Sequence, residues 1–154
     1  MKHNINIGHV AKVWQCFQGV EMSQLHTVCQ EGNLARALEL IEENPGSVSL
    51  QNESGDTPLH VACKTGKLDL VKVLIEAGNI DVISVTDKNR RSPVSYACSQ
   101  GHADIVEFLT EKNCAVLEIF DAGANSCARQ ALIQNHVEIY KYITLKSSTY
   151  ANYR

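Results

Sequence analysis

Residues 55–75 read GDTPLHVACKTGKLDLVKVLI, and the reading of this stretch decides the fold. Thr57-Pro58 opens a short helix: the hydroxyl can cap exposed backbone N–H groups, and proline at the first helical position has no N–H to lose. Gly66 closes it, because glycine enters the left-handed backbone region freely. Leu68, Val71 and Ile75 then recur at helical spacing, so a second helix follows at once. Leu70, Val73 and Leu74 make that helix apolar on more than one face, as suits a helix buried between neighbours on both sides.

The same grammar recurs along the chain. Its closing glycine has counterparts at Gly32, Gly101 and Asn135, and the four markers fall 34, 35 and 34 residues apart. Asn tolerates the left-handed conformation better than most residues. Ser23, Ser92 and Ser126 match Thr57 as openers of first helices, and Pro93 matches Pro58. Second helices are predicted from Leu34-Leu38-Ile41, Ala103-Val106-Leu109 and Val137-Tyr140-Ile143. They end at Asn44, Gly78, Asn113 and Lys146, of which the first three suit a left-handed cap. A link containing Asn52, Asp87 or Asp121 leads into each following unit.

Thr57-Pro58-Leu59-His60-Val61-Ala62 is a T-P-L-H-x-A hexad, and with this period the chain resembles the ankyrin-repeat family over about residues 22–146. The family period is about 33 residues. Repeat three carries Ser92-Pro93-Val94-Ser95-Tyr96-Ala97 in the hexad, and Ser126-Cys127-Ala128-Arg129 in repeat four lacks both Pro and His. The resemblance implies an all-α solenoid of stacked helix–turn–helix units with β-hairpin-type loops. The expected repeats are 22–51, 52–86, 87–120 and 121–146, after an extension at 1–21 and before a polar tail at 147–154. The family's hairpin glycine stands at Gly55, but Arg90 and Ala124 occupy the later tips, which predicts tips of different shape.

A solenoid needs covered ends, since no repeat buries its faces alone. Val10, Val13, Trp14 and Phe17 form one helical stripe, expected to cap repeat one; the alternative is a free amphipathic helix that binds a partner or a membrane, for which Lys2 and Lys12 supply too little positive charge. At the other end Ile139, Tyr140, Tyr142, Ile143 and Leu145 make the last helix too apolar to face water. Either the tail with Tyr150 and Tyr153 folds back over it, or the chain self-associates or continues into further domains.

Composition narrows the function. A net charge of −3 with 20% charged residues supplies no strong field for nucleic acid or a membrane surface. No apolar run is long enough to cross a bilayer, and the N-terminus lacks the apolar core of an export signal. The six cysteines are therefore expected as thiols in the cytoplasm or nucleus.

His26-x-x-Cys29 and His60-x-x-Cys63 look like metal half-sites. However, Cys29, Cys63 and Cys98 share one repeat position, and packed helices about 8–10 Å apart hold such residues too far apart for zinc. Small buried thiols are the simpler reading, with a thiol-based redox or metal sensor using Cys29, Cys63 and Cys98 as the alternative. The resemblance implies that His26 and His60 tie neighbouring loops. Cys16, Cys114 and Cys127 have no repeat partner and no activating base. Phosphate loops, nucleophile elbows and zinc clusters are missing from the sequence, so neither catalysis nor a cofactor is expected.

Ankyrin-like proteins bind other proteins through a concave face of hairpin tips and first helices. By position this gives Gln30 and Glu31 in repeat one, and Glu53, Ser54, Asp56, Lys64 and Thr65 in repeat two. Repeat three adds Lys88, Asn89, Arg91, Ser99 and Gln100, and repeat four adds Gly123, Asn125 and Gln134. The tip with Glu53 and Asp56 is acidic, whereas Lys88, Arg90 and Arg91 make the next one basic, a sign change that would set register with a partner. Arg91 is the expected anchor; Tyr96 either lines the groove or packs between helices.

Overall fold

The computed structural model describes residues 20–151, with side chains for 24–149. Eight α-helices occur among them, in four pairs, and no strand is present among the described residues. The pairs are α1 (Val20–Glu31) with α2 (Leu34–Glu43), α3 (Pro58–Thr65) with α4 (Leu68–Gly78), α5 (Pro93–Gln100) with α6 (Ala103–Lys112), and α7 (Cys127–Ile133) with α8 (Val137–Ala151). The stripe Val10, Val13, Trp14 and Phe17 lies outside the described residues.

Each pair turns at its marker. Gly32, Gly66, Gly101 and Asn135 have φ of 79°, 73°, 83° and 61°. Thr57, Ser92 and Ser126 sit at N-caps, with Pro58 and Pro93 just inside. Ser23 does not, because α1 already runs from Val20 and places Ser23 within the helix.

First helices stack on first helices and second helices on second helices, forming two layers with one core between them. Leu59, Leu70, Leu74, Ile105 and Leu109 are fully buried there, together with Cys29, Cys63 and Cys98. First helices pack far more closely along the stack than second helices do, so the array curves with its first-helix layer inside. In α2 the buried face runs through Ala37 and Ile41, while Leu38 points to solvent at the register shared by Lys72, Glu107 and Lys141.

The second helices do not end in left-handed caps. Asn44 and Asn113 have φ of −144° and −153°, and each leads into a short 3₁₀ turn, Pro45–Ser49 and Cys114–Glu118. Gly78 is the last residue of α4 and Asn79, with φ 66°, is its cap. Close packing explains Gly78 instead: a Cβ there would come within 2.8 Å of Val48 Cγ2. The 3₁₀ turns matter because Val48, Val82, Ile83, Val116 and Leu117 plug the second-helix layer from below.

Two further expectations change. The tips at Arg90 and Ala124 match Gly55 in shape, since their φ values of 59° and 56° lie in the same left-handed region as its 84°. The last helix passes Lys146 without a break and continues to Ala151, because the segment after Leu145 contains no Gly, Asn or Pro before that point. Its Ile139 and Ile143 are buried against repeat three, and the Tyr142 hydroxyl lies 3.0 Å from Thr110 Oγ1. Leu145 stays 70% exposed.

Candidate protein-binding surface

Three acceptor side chains build the hairpin tips. Asn52 Oδ1 takes the N–H groups of Ser54 and Asp56 at 2.9 and 3.0 Å. Asp87 Oδ1 takes those of Asn89 and Arg91, both at 2.8 Å, and Asp121 Oδ1 takes those of Gly123 and Asn125 at 2.9 and 2.7 Å. Each tip is closed by a backbone bond between residues four apart, as from Asp87 N–H to the Arg91 carbonyl at 3.0 Å. Neighbouring tips are also joined: Lys88 N–H donates to the Ser54 carbonyl at 3.2 Å and Ala122 N–H to the Asn89 carbonyl at 2.8 Å.

Histidines bridge the repeats behind the tips. His26 Nε2 lies 2.8 Å from the Asp56 carbonyl, and His60 Nε2 lies 3.1 Å from the Arg91 carbonyl. Thr57 N–H donates to His60 Nδ1 at 3.0 Å, so Nδ1 carries no proton and the tautomer is Nε2–H, which donates to Arg91. Burial lowers the pKa of His60, because a charged ring would be desolvated there. In repeat three Ser95 stands in the histidine's place and lies 3.5 Å from Cys127 Sγ.

Asp87 is the hub of the middle repeats. Its Oδ2 accepts from the Tyr96 hydroxyl at 2.8 Å and from Arg91 Nε at 3.1 Å. Burial raises its pKa, but the N–H of Arg91, the hydroxyl of Tyr96 and the Arg91 guanidinium outweigh this, and the carboxyl lies below its ordinary value. The Arg91 guanidinium stacks 4.6 Å from the centre of the Tyr96 ring, and His60 meets the same ring edge-on at 5.9 Å. Tyr96 is only 7% exposed, so it packs between helices and forms the platform under Arg91 rather than lining the groove.

The sequence-predicted surface residues divide accordingly. Glu53, Ser54, Lys64, Lys88, Asn89, Gln100 and Gln134 are exposed along the inner layer, as are Gln30 and Glu31. Asp56, Thr65, Arg91, Ser99 and Asn125 are half-buried. Several of these are committed within the fold: Thr65 Oγ1 donates to the Val61 carbonyl at 3.0 Å, Ser99 Oγ to the Tyr96 carbonyl at 2.9 Å, and Asn125 Nδ2 to Asp121 at 3.1 Å. Asp56 Oδ1 is buried without a hydrogen-bond partner.

Sequence reasoning missed a second ladder. His102 and His136, which follow the markers Gly101 and Asn135, reach back one repeat to the Lys64 carbonyl at 3.3 Å and the Ser99 carbonyl at 3.1 Å. Their rings cross Gly66 and Gly101, where an added Cβ would stand 2.5 and 2.6 Å from Cε1. The recurrence of a long side chain just after the later markers, as Lys67, His102 and His136, was the available signal. Cys127 has no cysteine at its repeat position, since Pro58 and Pro93 hold that place in the other repeats, and its sulfur lies 3.5 Å from Ser95 Oγ of the preceding repeat.

Cys29, Cys63 and Cys98 are fully buried. Burial pushes the Cys29 thiol up to about 12 and the Cys63 thiol higher still, so both stay protonated and inert. Among the described residues no group of three His, Cys, Asp or Glu side chains is placed to hold a metal ion, and no helix is long and apolar enough to cross a membrane.

A stack of helix pairs bridged by buried histidines, with projecting tips that close on an Asn or Asp, defines a class of repeat solenoid. The family model for ankyrin repeats, in three copies, matches residues 25–119, and the chain belongs to the ankyrin-repeat family. It is 32% identical over 111 residues to a tyrosine-protein kinase of Hydra vulgaris, covering 71% of this chain and 14% of that protein. It is 36% identical over 120 residues to the eye-specific diacylglycerol kinase of Drosophila melanogaster, covering 78% of this chain and 8% of that protein. An ankyrin repeat-containing protein of Arabidopsis thaliana shares 30% over 103 residues, 64% of this chain and 20% of its own length. The chain thus spans a fifth or less of each of these relatives.

Proposed function

We propose that this chain is a non-catalytic protein-interaction module, an adaptor, scaffold or inhibitor, that holds a protein partner on its inner layer of tips and first helices. Ankyrin repeats mediate protein–protein interaction in general, and membership of that family supports the reading. The observation that carries it is the split among the surface side chains. Glu53, Lys64, Lys88, Asn89 and Gln100 stay exposed on tips and helices whose backbone groups are already satisfied without them. A repeat surface of that kind changes its ligand without changing its fold. The thiol-sensor alternative finds no support at Cys29 and Cys63, which burial keeps protonated. We place the module in the cytoplasm or nucleus, where its thiols stay reduced.

Lys64 and Lys88 beside Arg91 favour an acidic epitope on the partner at repeats two and three. The test compares partners recovered by affinity purification with the native chain and with the Lys64→Glu, Lys88→Glu double variant. Loss of the recovered partners at unchanged Tm is expected. Equal recovery by a folded double variant would remove the inner layer as the binding surface. Arg91→Glu is the wrong probe: it sets a like charge against Asp87 and is expected to cost about 2–4 kcal/mol of stability, read as a shifted urea midpoint.

A further inference from the structure

Repeat four departs from the other repeats at the start of its first helix. Pro58 and Pro93 occupy the first helical position of α3 and α5, but α7 begins with Cys127. Ser95, which touches Cys127, and Cys98 lie three residues apart on one face of α5, so the replacement sets a thiol beside a thiol. Cys98 of α5 and Cys127 of α7 are both fully inaccessible in this repeat interface, and each influences the proton affinity of the other. Ser95 Oγ lies 3.5 Å from Cys127 Sγ, and Ser92 Oγ in turn lies 3.2 Å from Ser95 Oγ. One serine directly and a second through it thus surround the Cys127 sulfur, which also lies 3.9 Å from the Val116 carbonyl. Packing alone requires none of this, since proline fills the same place twice elsewhere in the chain.

We propose that Cys98 and Cys127 form a thiol pair that a hydroperoxide oxidises to a disulfide joining repeats three and four. The environment assigns the two roles. Ser95 Oγ, 3.5 Å from Cys127 Sγ and itself in contact with Ser92 Oγ, sets a hydroxyl beside the Cys127 sulfur that can hold it as thiolate, so Cys127 is the attacking thiol and Cys98 the resolving one. Cys127 as thiolate attacks the terminal oxygen of the hydroperoxide; the O–O bond breaks, the alkoxide leaves and takes up a proton, and Cys127 becomes a sulfenic acid. Cys98 then attacks that sulfur, the S–O bond breaks, and hydroxide departs with the Cys98 proton as water. Two thiols and one hydroperoxide become one disulfide, one alcohol and one water.

Access comes from repeat position. Among the described residues repeat four has a stacked neighbour on one side only, so it opens more readily than the middle repeats. Cys29 and Cys63 have no second thiol at the matching place, which Pro58 and Pro93 occupy in the repeats that follow them. Once formed, the bond ties α7 to α5 and removes that opening.

The experiment treats the full native chain with tert-butyl hydroperoxide, blocks remaining thiols with an alkylating reagent, and maps cysteine-containing peptides by mass spectrometry. The expected result is a peptide pair linked through Cys98 and Cys127, lighter by about 2 Da than the two thiols. Cys127→Pro restores the residue of the other repeats and is expected to fold while losing the link. Cys98→Ser is expected to leave a sulfenic acid on Cys127 that dimedone traps. The proposal is overturned if Cys98 and Cys127 stay reduced while half-buried Cys114 is oxidised. It is equally overturned if each is oxidised singly without a link, or if Cys98 pairs as readily with another cysteine in Cys127→Pro.

Discussion

Arg90 and Ala124 hold φ near +60°, a region where a side chain's Cβ crowds the following carbonyl at a cost of roughly 1–2 kcal/mol. The tips over-determine that conformation: Asp87 and Asp121 each accept the backbone N–H groups two and four positions on, which leaves the residue between them one geometry. Arg90→Gly and Ala124→Gly should therefore each stabilise by up to about 1 kcal/mol, part of the relief being offset by the greater freedom of glycine in the unfolded chain. A urea midpoint that falls in both variants would mean that the tips carry no strain. His60 gives a pH signature. Its folded pKa lies below the ordinary 6.5, so the unfolded chain takes up the proton first. Its contribution is complete above pH 6.5 and declines as pH drops below that value towards the folded pKa. Urea midpoints measured between pH 7.5 and 5.5 should fall for the native chain and change less for His60→Gln, whose amide can serve the same two partners without titrating.

At the scale of the element, the turn between paired helices answers to two constraints that the markers meet unequally. Gly66 and Gly101 need both a left-handed backbone and an absent Cβ, because His102 and His136 of the next repeat lie across them. Gly66→Ala and Gly101→Ala should each cost about 2 kcal/mol or more, since strain and ring displacement add. Asn135 meets only the first constraint, and its place carries a side chain where the earlier repeats admit the next repeat's histidine or lysine. Asn135→Gly should change stability by less than about 0.5 kcal/mol. Comparable losses at all three positions, read by chemical denaturation, would sink the two-constraint account. The 3₁₀ turns show the same principle: Asn44 and Asn113 start them rather than ending helices left-handed, because buried Val48 and Val116 pull the chain into the next layer.

Across the whole molecule, a repeat position acquires its energy from what stacks on it. Cys29, Cys63 and Cys98 are fully buried at the place where Leu132 is 53% exposed in repeat four. Leu74→Ala, in the middle of the array, should cost about 3 kcal/mol, whereas Leu132→Ala should cost under about 0.5 kcal/mol. Hydrogen exchange should show the same gradient, with amides of α7 exchanging faster than those of α3 and α5. Equal protection in α7 and α3 would show that the described stack opens as one unit. Leu132, Ile133, Val137 and Phe120 are likewise exposed towards this end, and a cleft of about 360 Å³ between α6 and α8 is lined by Ala103, Val106, Ile139 and Leu145.

Residues 55–75 determined the helix pair, its turn and its period without reference to anything distant, because proline, glycine and apolar spacing act through the local backbone. The same local logic placed the buried histidine and the repeated cysteines by register. It could not settle which surface residues are free, since the commitment of Arg91 depends on Asp87 and Tyr96 together, and that of Thr65 on helical carbonyls beneath it. Nor could it set Cys127 beside Ser95, or His102 across Gly66, because these contacts join residues about a full repeat apart. Local geometry writes each unit; contacts between units exist only once neighbouring repeats share one packed interface.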